Sequence, residues 1–145
     1  MIFPIQHHAF GSKLLDGRCV AGRYWIVPFE ITRRLIIDDD AAKKNGRWQK
    51  NAALIGFVGM GYHYARPNTD GKMEFSAKAP KTGRFEIRLS YPPHVTNGDQ
   101  IPVSIVVGDR TDTVKVNMKQ APEQNGFQTL GQFDLTEGEA VTIVV

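Results

Sequence analysis

Residues 84–91 read Arg84-Phe85-Glu86-Ile87-Arg88-Leu89-Ser90-Tyr91, a strict alternation of polar and apolar side chains. Successive side chains of a β-strand point to opposite faces, so this segment predicts a strand with one face on a core and the other in water. Pro92 and Pro93 end the strand, because proline has no N–H to donate to a sheet ladder.

Similar segments lie on both sides of this strand. Alternating or β-branched stretches predict further strands at residues 73–77, 103–107, 113–119 and 140–145, with earlier candidates at 24–31 and 35–38. Turn sequences separate several of them, at Asp70-Gly71, Asn97-Gly98 and Asn125-Gly126. Only residues 39–44 look briefly helical. Seven to nine short strands and little helix predict an all-β fold, an antiparallel β-sandwich.

Composition narrows the class of protein. A length of 145 residues with 41% hydrophobic content fits one globular domain. The net charge is only +3, and the basic excess lies in residues 1–50, with nine Lys and Arg against five Asp and Glu. A nucleic-acid-binding surface usually has a larger and more contiguous basic excess, so we expect no nucleic-acid partner. The longest uncharged apolar run, residues 52–61, is far shorter than the roughly 20 residues of a membrane span. We therefore expect no membrane partner, and the N-terminal residues show no signal peptide.

The sequence lacks the common catalytic patterns. It contains no Gly-x-Ser-x-Gly and no glycine-rich phosphate loop, and its histidines show no ligand spacing. We expect a non-catalytic protein without a cofactor. An acid–base pair that includes Glu74 or Glu86 stays open as an alternative, because sequence alone does not show which carboxylates meet.

A run of three carboxylates, Asp38, Asp39 and Asp40, offers the one metal candidate. Ca²⁺ takes six to eight oxygen ligands, and several of them can come from such a loop. The run lacks the spacing and the glycine of a helix–loop–helix calcium site. The alternative is that one Asp caps a turn or forms an ion pair while the others are solvated.

Aromatic side chains offer a surface for a ligand. Trp48 follows Asn45-Gly46-Arg47, and Tyr62 and Tyr64 share one face if residues 61–65 are extended. Flat rings pack against the C–H face of a sugar, but they are also common in the core of a sandwich. Both interpretations remain open at this stage.

The order of these features resembles the golvesin C-terminal-like domain, also described as the carbohydrate-binding-like domain of xanthan lyases. The resemblance rests on short motifs in the family's order, at residues 36–40, 45–48, 61–62, 81–92, 97–105 and 126–133. Three departures from the family pattern are Phe85 in place of Tyr, Phe127 in place of Trp, and Ser90 in place of an aromatic residue. The loop at Asn97-Gly98-Asp99 also lacks the family's arginine.

The resemblance implies a jelly-roll-like, galactose-binding-like sandwich over residues 35–145. Residues 1–34 would then form an N-terminal extension that adds a strand or two. It further implies a secreted, non-catalytic accessory module, extracellular or periplasmic, that binds a polysaccharide or oligosaccharide beside the catalytic domain of a parent protein. The alternative is a structural or protein-interaction sandwich with no sugar ligand. The expected ligand-binding residues are Trp48, Tyr62, His63, Tyr64, Arg66, Asn97 and Asp99.

Overall fold

The chain folds into antiparallel β-structure. A computed structural model describes residues 2–4, 35–57, 59–66 and 69–145, with the backbone alone described for residues 2–4. Within these ranges the elements are β1 (Ile2–Pro4), a 3₁₀ turn η1 (Asp39–Ala41), β2 (Lys43–Asn45), β3 (Trp48–Asn51), β4 (Tyr62–Ala65), β5 (Lys72–Lys78), β6 (Gly83–Leu89), β7 (Ile101–Val107), β8 (Arg110–Val116), β9 (Gln128–Leu135) and β10 (Ala140–Val144).

The strands form two main sheets and one small one. A three-stranded sheet has the order β1-β6-β9, and a five-stranded sheet has the order β2-β5-β10-β7-β8. Strands β3 and β4 form a separate two-stranded sheet, the β3–β4 hairpin. Every pairing is antiparallel. The predicted all-β antiparallel sandwich is therefore confirmed.

The core lies between the two main sheets. Phe85 and Ile87 project from β6 and meet buried aliphatic side chains of the five-stranded sheet, such as Ile105 and Ile143, in one cluster. Arg84 and Glu86 occupy the other face of β6, so the predicted alternation holds along this strand. Burial of this apolar surface is the main force that holds the sheets together.

A β-bulge interrupts the pairing of β6 with β9. The register shifts between Ile87, which pairs with Gly131, and Arg88, which pairs with Thr129. One residue of β9, Leu130, is therefore extra, and its side chain is buried in the core. A bulge of this kind bends a strand and redirects the side chains beyond it.

A close backbone contact holds the turn between β2 and β3. Gly46 adopts a φ of +86°, and a Cβ built on it would lie 2.8 Å from the Cα of Gly71. Only glycine combines this φ with this approach. The contact places the start of the β3–β4 hairpin against the start of β5.

Most predicted strands are present, with some shifts. The segment at 113–119 begins earlier, at Arg110, and residues 39–44 divide into η1 and β2. The strand predicted at 35–38 is wrong, because residues 36–38 are irregular and Asp38 caps η1 instead. The strand predicted at 24–31 lies outside the described residues. Strand β9 was not predicted, since Gly131 and Gln132 interrupt its apolar pattern.

Two further observations concern the N-terminal strand and the length of the helices. Strand β1 pairs with β6 through Ile2–Pro4, while residues 5–34 lie outside the described part of the chain. The division into an extension and a sandwich therefore stays a prediction. Among the described residues, no helix has the length and apolarity that a bilayer crossing requires.

Candidate functional site

The β3–β4 hairpin brings together four of the residues predicted to bind a ligand. Trp48 pairs with Ala65, and the next cross-strand pairs along the hairpin join Gln49 to Tyr64 and Lys50 to His63. Because directly opposed residues of an antiparallel pair share a face, Trp48 and His63 lie on one face and Tyr64 lies on the other. The predicted cluster is thus divided between two surfaces.

The two tyrosines of β4 share a face but differ in exposure. The side chain of Tyr62 is 8% exposed, and its ring lies 5.8 Å from the ring of Phe57. Tyr64 is 37% exposed, and its hydroxyl donates a hydrogen bond of 2.6 Å to Oε1 of Gln49. The two tyrosine rings are 6.3 Å apart and tilted by 49°. The ring of Tyr64 is therefore accessible to solvent, and the buried ring of Tyr62 packs beside it.

Trp48 makes contacts with the backbone of neighbouring segments. Its indole Nε1–H donates to the carbonyl oxygen of Asn45 at 2.8 Å, and its ring atoms lie against the position that a Cβ on Gly71 would take. The side chain is half-buried. It closes the turn between β2 and β3, on the face opposite Tyr64.

Arg66 directly follows β4 and is exposed. Its carbonyl oxygen accepts a hydrogen bond of 2.7 Å from the Thr69 hydroxyl. Across residues 35–57, 59–66 and 69–145, no carboxylate lies within ion-pairing distance of its guanidinium. Its guanidinium therefore has no carboxylate partner among the described residues.

Asn97 and Asp99 lie in the loop between β6 and β7. The Asn97 side-chain amide donates to the carbonyl oxygens of Pro92 and Met118, both at 3.0 Å. Asp99 forms an ion pair of 2.9 Å with Lys119, which holds the pKa of the Asp99 carboxyl below its usual value. The loop's polar groups thus already have partners within the domain.

The three aspartates of the predicted metal run do not act together. Oδ1 of Asp38 accepts the N–H of Asp40 at 3.0 Å and so caps η1. Asp39 and Asp40 instead point toward the imidazole of His63: Oδ2 of Asp39 lies 3.2 Å from Nδ1, and Oδ1 of Asp40 lies 3.8 Å from Nε2. His63 replaces Asp38 in the cluster that the structure forms.

A small cleft lies between the hairpin and the sandwich. Its volume is about 80 Å³, and its walls include Phe57, Tyr62, Arg88, Ser90 and Phe127. Pockets that enclose a small molecule usually have about 300–1,000 Å³. This cleft is therefore too small to enclose a drug-sized or larger ligand.

The open alternative of an acid–base pair gains no support from Glu86. Its carboxylate accepts hydrogen bonds from Arg88 and, at 2.9 Å, from the Thr129 hydroxyl. The Arg88 guanidinium, with Thr129, lowers the pKa of the Glu86 carboxyl below its ordinary value. A general acid needs a raised pKa, and Glu74, the other candidate, forms an ion pair of 3.3 Å with Lys43.

Sequence reasoning missed Gln49 and Lys50 as members of these clusters. Ten residues separate β3 from β4, so the sequence gives no short turn that would fix the register of the hairpin. The alternation of Tyr62, His63 and Tyr64 within β4 predicts which of these residues share a face. Their cross-strand partners could be identified only from the folded structure.

The fold and these surfaces define a small β-sandwich domain with an exposed tyrosine ring on its β3–β4 hairpin. The family model of the golvesin C-terminal domain matches residues 35–145, and the chain belongs to that family. Among solved structures, a xanthan lyase from Paenibacillus is similar, with a TM-score of 0.62 and 20% sequence identity. The similarity covers 75% of this chain and 11% of the lyase chain. The comparison with curated proteins gives no match.

Proposed function

We propose that this domain is a non-catalytic accessory module of a polysaccharide-acting protein, and that it binds polysaccharide on the face of the β3–β4 hairpin that carries Tyr64. Two findings support the first part. The chain belongs to the golvesin C-terminal domain family, and it is similar to 11% of a lyase whose name gives xanthan as its substrate. A region of that size fits a module attached to a larger enzyme.

The exposed ring of Tyr64 is the observation that carries the binding proposal. The hydrogen bond to Gln49 and the support of Tyr62 fix the orientation of the ring before a ligand arrives. A fixed aromatic face can pack against the C–H groups of a sugar at little cost in side-chain entropy. Gln49, across the hairpin from Tyr64, and Arg66, two residues after it, supply polar groups for hydroxyl or carboxylate substituents.

The surface suits a long, repetitive ligand rather than a single sugar. A flat aromatic site without a deep pocket buries little area per sugar unit, so each contact is weak, with an expected Kd in the micromolar to millimolar range. Attachment to a catalytic domain would still be useful, because it raises the local concentration of enzyme on the polymer.

Affinity electrophoresis of the full chain through gels that contain xanthan or other polysaccharides tests the proposal. We expect Tyr64→Ala to remove the retardation of the wild-type protein, while Tyr64→Phe keeps the ring and most of the retardation. His94→Ala, in the loop between β6 and β7, is the matched surface control and should behave as wild type. Equal retardation of wild type and Tyr64→Ala, or no retardation on any polymer, would overturn the proposal.

The alternative, a protein-interaction sandwich, is favoured by one specific observation. Ile55 and Met60, in the loop between β3 and β4, are 88% and 86% exposed. Contiguous exposed apolar surface marks contacts with other proteins, and two such side chains on one loop can contribute to it. If this loop is an interface, Ile55→Ser with Met60→Ser will reduce self-association or partner binding in size-exclusion chromatography without changing retardation by polysaccharide.

A further inference from the structure

Three side chains with metal-binding atoms converge beside the β3–β4 hairpin. One ligand atom each from Asp39, Asp40 and His63 lies within 4.8 Å of the other two. Asp39 and Asp40 come from η1, and His63 comes from β4. The backbone N–H of His63 donates to Oδ2 of Asp39 at 2.6 Å and locks the two elements together.

Two buried atoms of this cluster make no hydrogen bond with a described residue, although one of them, Nδ1 of His63, lies 3.2 Å from Oδ2 of Asp39. Oδ1 of Asp39 and Nδ1 of His63 are both inaccessible to solvent, and neither makes a hydrogen bond with any described residue. The His63 side chain is only 11% exposed, so its Nδ1 has little access to water. A buried polar atom without a partner is costly, and such atoms often mark the place of an unseen ion or water.

Nearby lysines leave the centre of the cluster free. The Lys50 ammonium binds Oδ2 of Asp40 at 2.5 Å, whereas Oδ1 of the same carboxylate faces the imidazole. Lys44 donates to the carbonyl oxygens of Asp39 and Ala42, at 2.6 and 3.0 Å. Both ammonium groups therefore bind oxygens outside the centre of the cluster.

We propose that Asp39, Asp40 and His63 bind one divalent transition-metal ion, with Zn²⁺ as its representative. Two carboxylate oxygens and one imidazole nitrogen match the mixed ligand sets that bind Zn²⁺. Ca²⁺ is the poorer match, because it takes six to eight oxygens and the cluster supplies a nitrogen. At Zn–ligand distances of about 2.1 Å, tetrahedral ligand atoms are roughly 3.4 Å apart, so binding requires side-chain shifts of about 1 Å.

The site would keep one coordination position open. Three protein ligands leave one corner of a tetrahedral ion for water, and Asp40 lies at the exposed side of the cluster. His63 lies on the hairpin face opposite Tyr64. Metal binding and polysaccharide binding therefore occupy separate surfaces and can fail independently.

Isothermal titration of the metal-free full chain with ZnCl₂ tests this assignment. We expect one Zn²⁺ per chain, and a melting temperature that rises by about 5–10 °C at 100-fold excess over Kd. His63→Ala and Asp40→Asn should each weaken Zn²⁺ binding at least about tenfold. Asp40→Asn keeps the shape of an exposed side chain, so it tests the site even if His63→Ala proves unstable.

Three controls separate this site from other sources of binding. His94→Ala should bind Zn²⁺ as wild type does, and Lys50→Gln should bind it at least as tightly, because a nearby positive charge is removed. Excess CaCl₂ should not displace Zn²⁺. Unchanged binding by His63→Ala and Asp40→Asn would assign the ion to other groups, such as His7 and His8, and overturn the proposal. Absence of Zn²⁺ binding, or displacement by Ca²⁺, would also overturn it.

Discussion

Trp48 and Tyr64 project from opposite faces of the β3–β4 hairpin, because Tyr64 is the cross-strand partner of Gln49 rather than of Trp48. The two rings therefore lie in different environments. Trp48 packs on Gly71 and closes the turn at Gly46, while Tyr64 lies on the open face. The domain therefore offers one exposed tyrosine on this hairpin rather than a continuous aromatic platform.

The two tyrosines of β4 should differ in their effect on stability. Tyr62→Ala removes a buried ring that contacts Phe57, and we expect it to lower the free energy of unfolding by about 3 kcal/mol. Tyr64→Ala removes a partly exposed ring and should cost less than about 1 kcal/mol. Urea denaturation of both variants beside wild type measures the difference. Equal losses would show that the two rings are equally buried in solution.

Gly46 should be costly to replace with any other residue. Gly46→Ala places a residue at a φ of +86° and drives its Cβ toward the Cα of Gly71. Gly138→Ala is the matched control, with a φ of +81° and open space around the new Cβ. We expect the control to cost about 1–2 kcal/mol of backbone strain and Gly46→Ala to exceed it by at least about 1 kcal/mol. Thermal denaturation of the two variants measures the two losses of stability. Equal losses would mean that the turn at residue 46 relaxes to accommodate the new Cβ.

Asn97 should act in the structure of its loop. Asn97→Ala removes the two donors that bind the carbonyl oxygens of Pro92 and Met118, and we expect a loss of about 1–2 kcal/mol. Asp99→Asn breaks only the exposed ion pair with Lys119 and should change stability little. Chemical denaturation with affinity electrophoresis separates the roles. If Asn97→Ala keeps full stability but loses retardation by polysaccharide, Asn97 is a ligand-binding residue instead.

Glu86 should contribute a pH-dependent part of the stability. The Arg88 guanidinium and then Thr129 hold the pKa of the Glu86 carboxyl below its unfolded value, so the folded state favours the ionised form. This contribution is fully present above the unfolded pKa, near 4.3, and is lost as the pH falls through the lower folded pKa. The difference in unfolding free energy between wild type and Glu86→Gln should therefore be largest near pH 7.

Urea titrations between pH 7 and pH 3 measure this difference. It should shrink below about pH 4, in the region between the two pKa values of Glu86. Glu137→Gln, in the exposed turn between β9 and β10, serves as the control for the loss of one carboxylate. A difference for Glu86→Gln that stays constant down to pH 3 would contradict a folded-state pKa below the unfolded one.

Several parts of the fold could be predicted because they depend on local pattern. The alternation at residues 84–91 identified β6 and its buried face, and the β-branched end of the chain identified β10. The predicted strand at 35–38 failed because its apolar residues lead into a capped turn, where the Asp38 side chain competes for backbone N–H groups. Strand β9 was missed because its bulge and Gly131 disturb the period-two pattern.

The candidate sites could be predicted only in part. The sequence indicated Tyr64, His63 and the aspartates as chemically capable residues. It also predicted that Asp38 belongs to the metal-binding cluster, which the structure forms without Asp38, and it did not predict the ion pair of Lys50 with Asp40. Members of a site come from segments far apart in sequence, and their contacts depend on register. The register of a hairpin with a ten-residue connection is not fixed by its turn.

The sequence by itself determined the class of fold, the identity of the central core strand and the family resemblance, since all three depend on periodicity and on the order of short motifs. Only the tertiary structure decided that Trp48 and Tyr64 face opposite ways, that Tyr62 is buried, and that His63 meets Asp39 and Asp40. The physical reason is that strand alternation is a property of neighbouring residues. Cross-strand pairing and the approach of η1 to β4 are set by the packing of the whole domain.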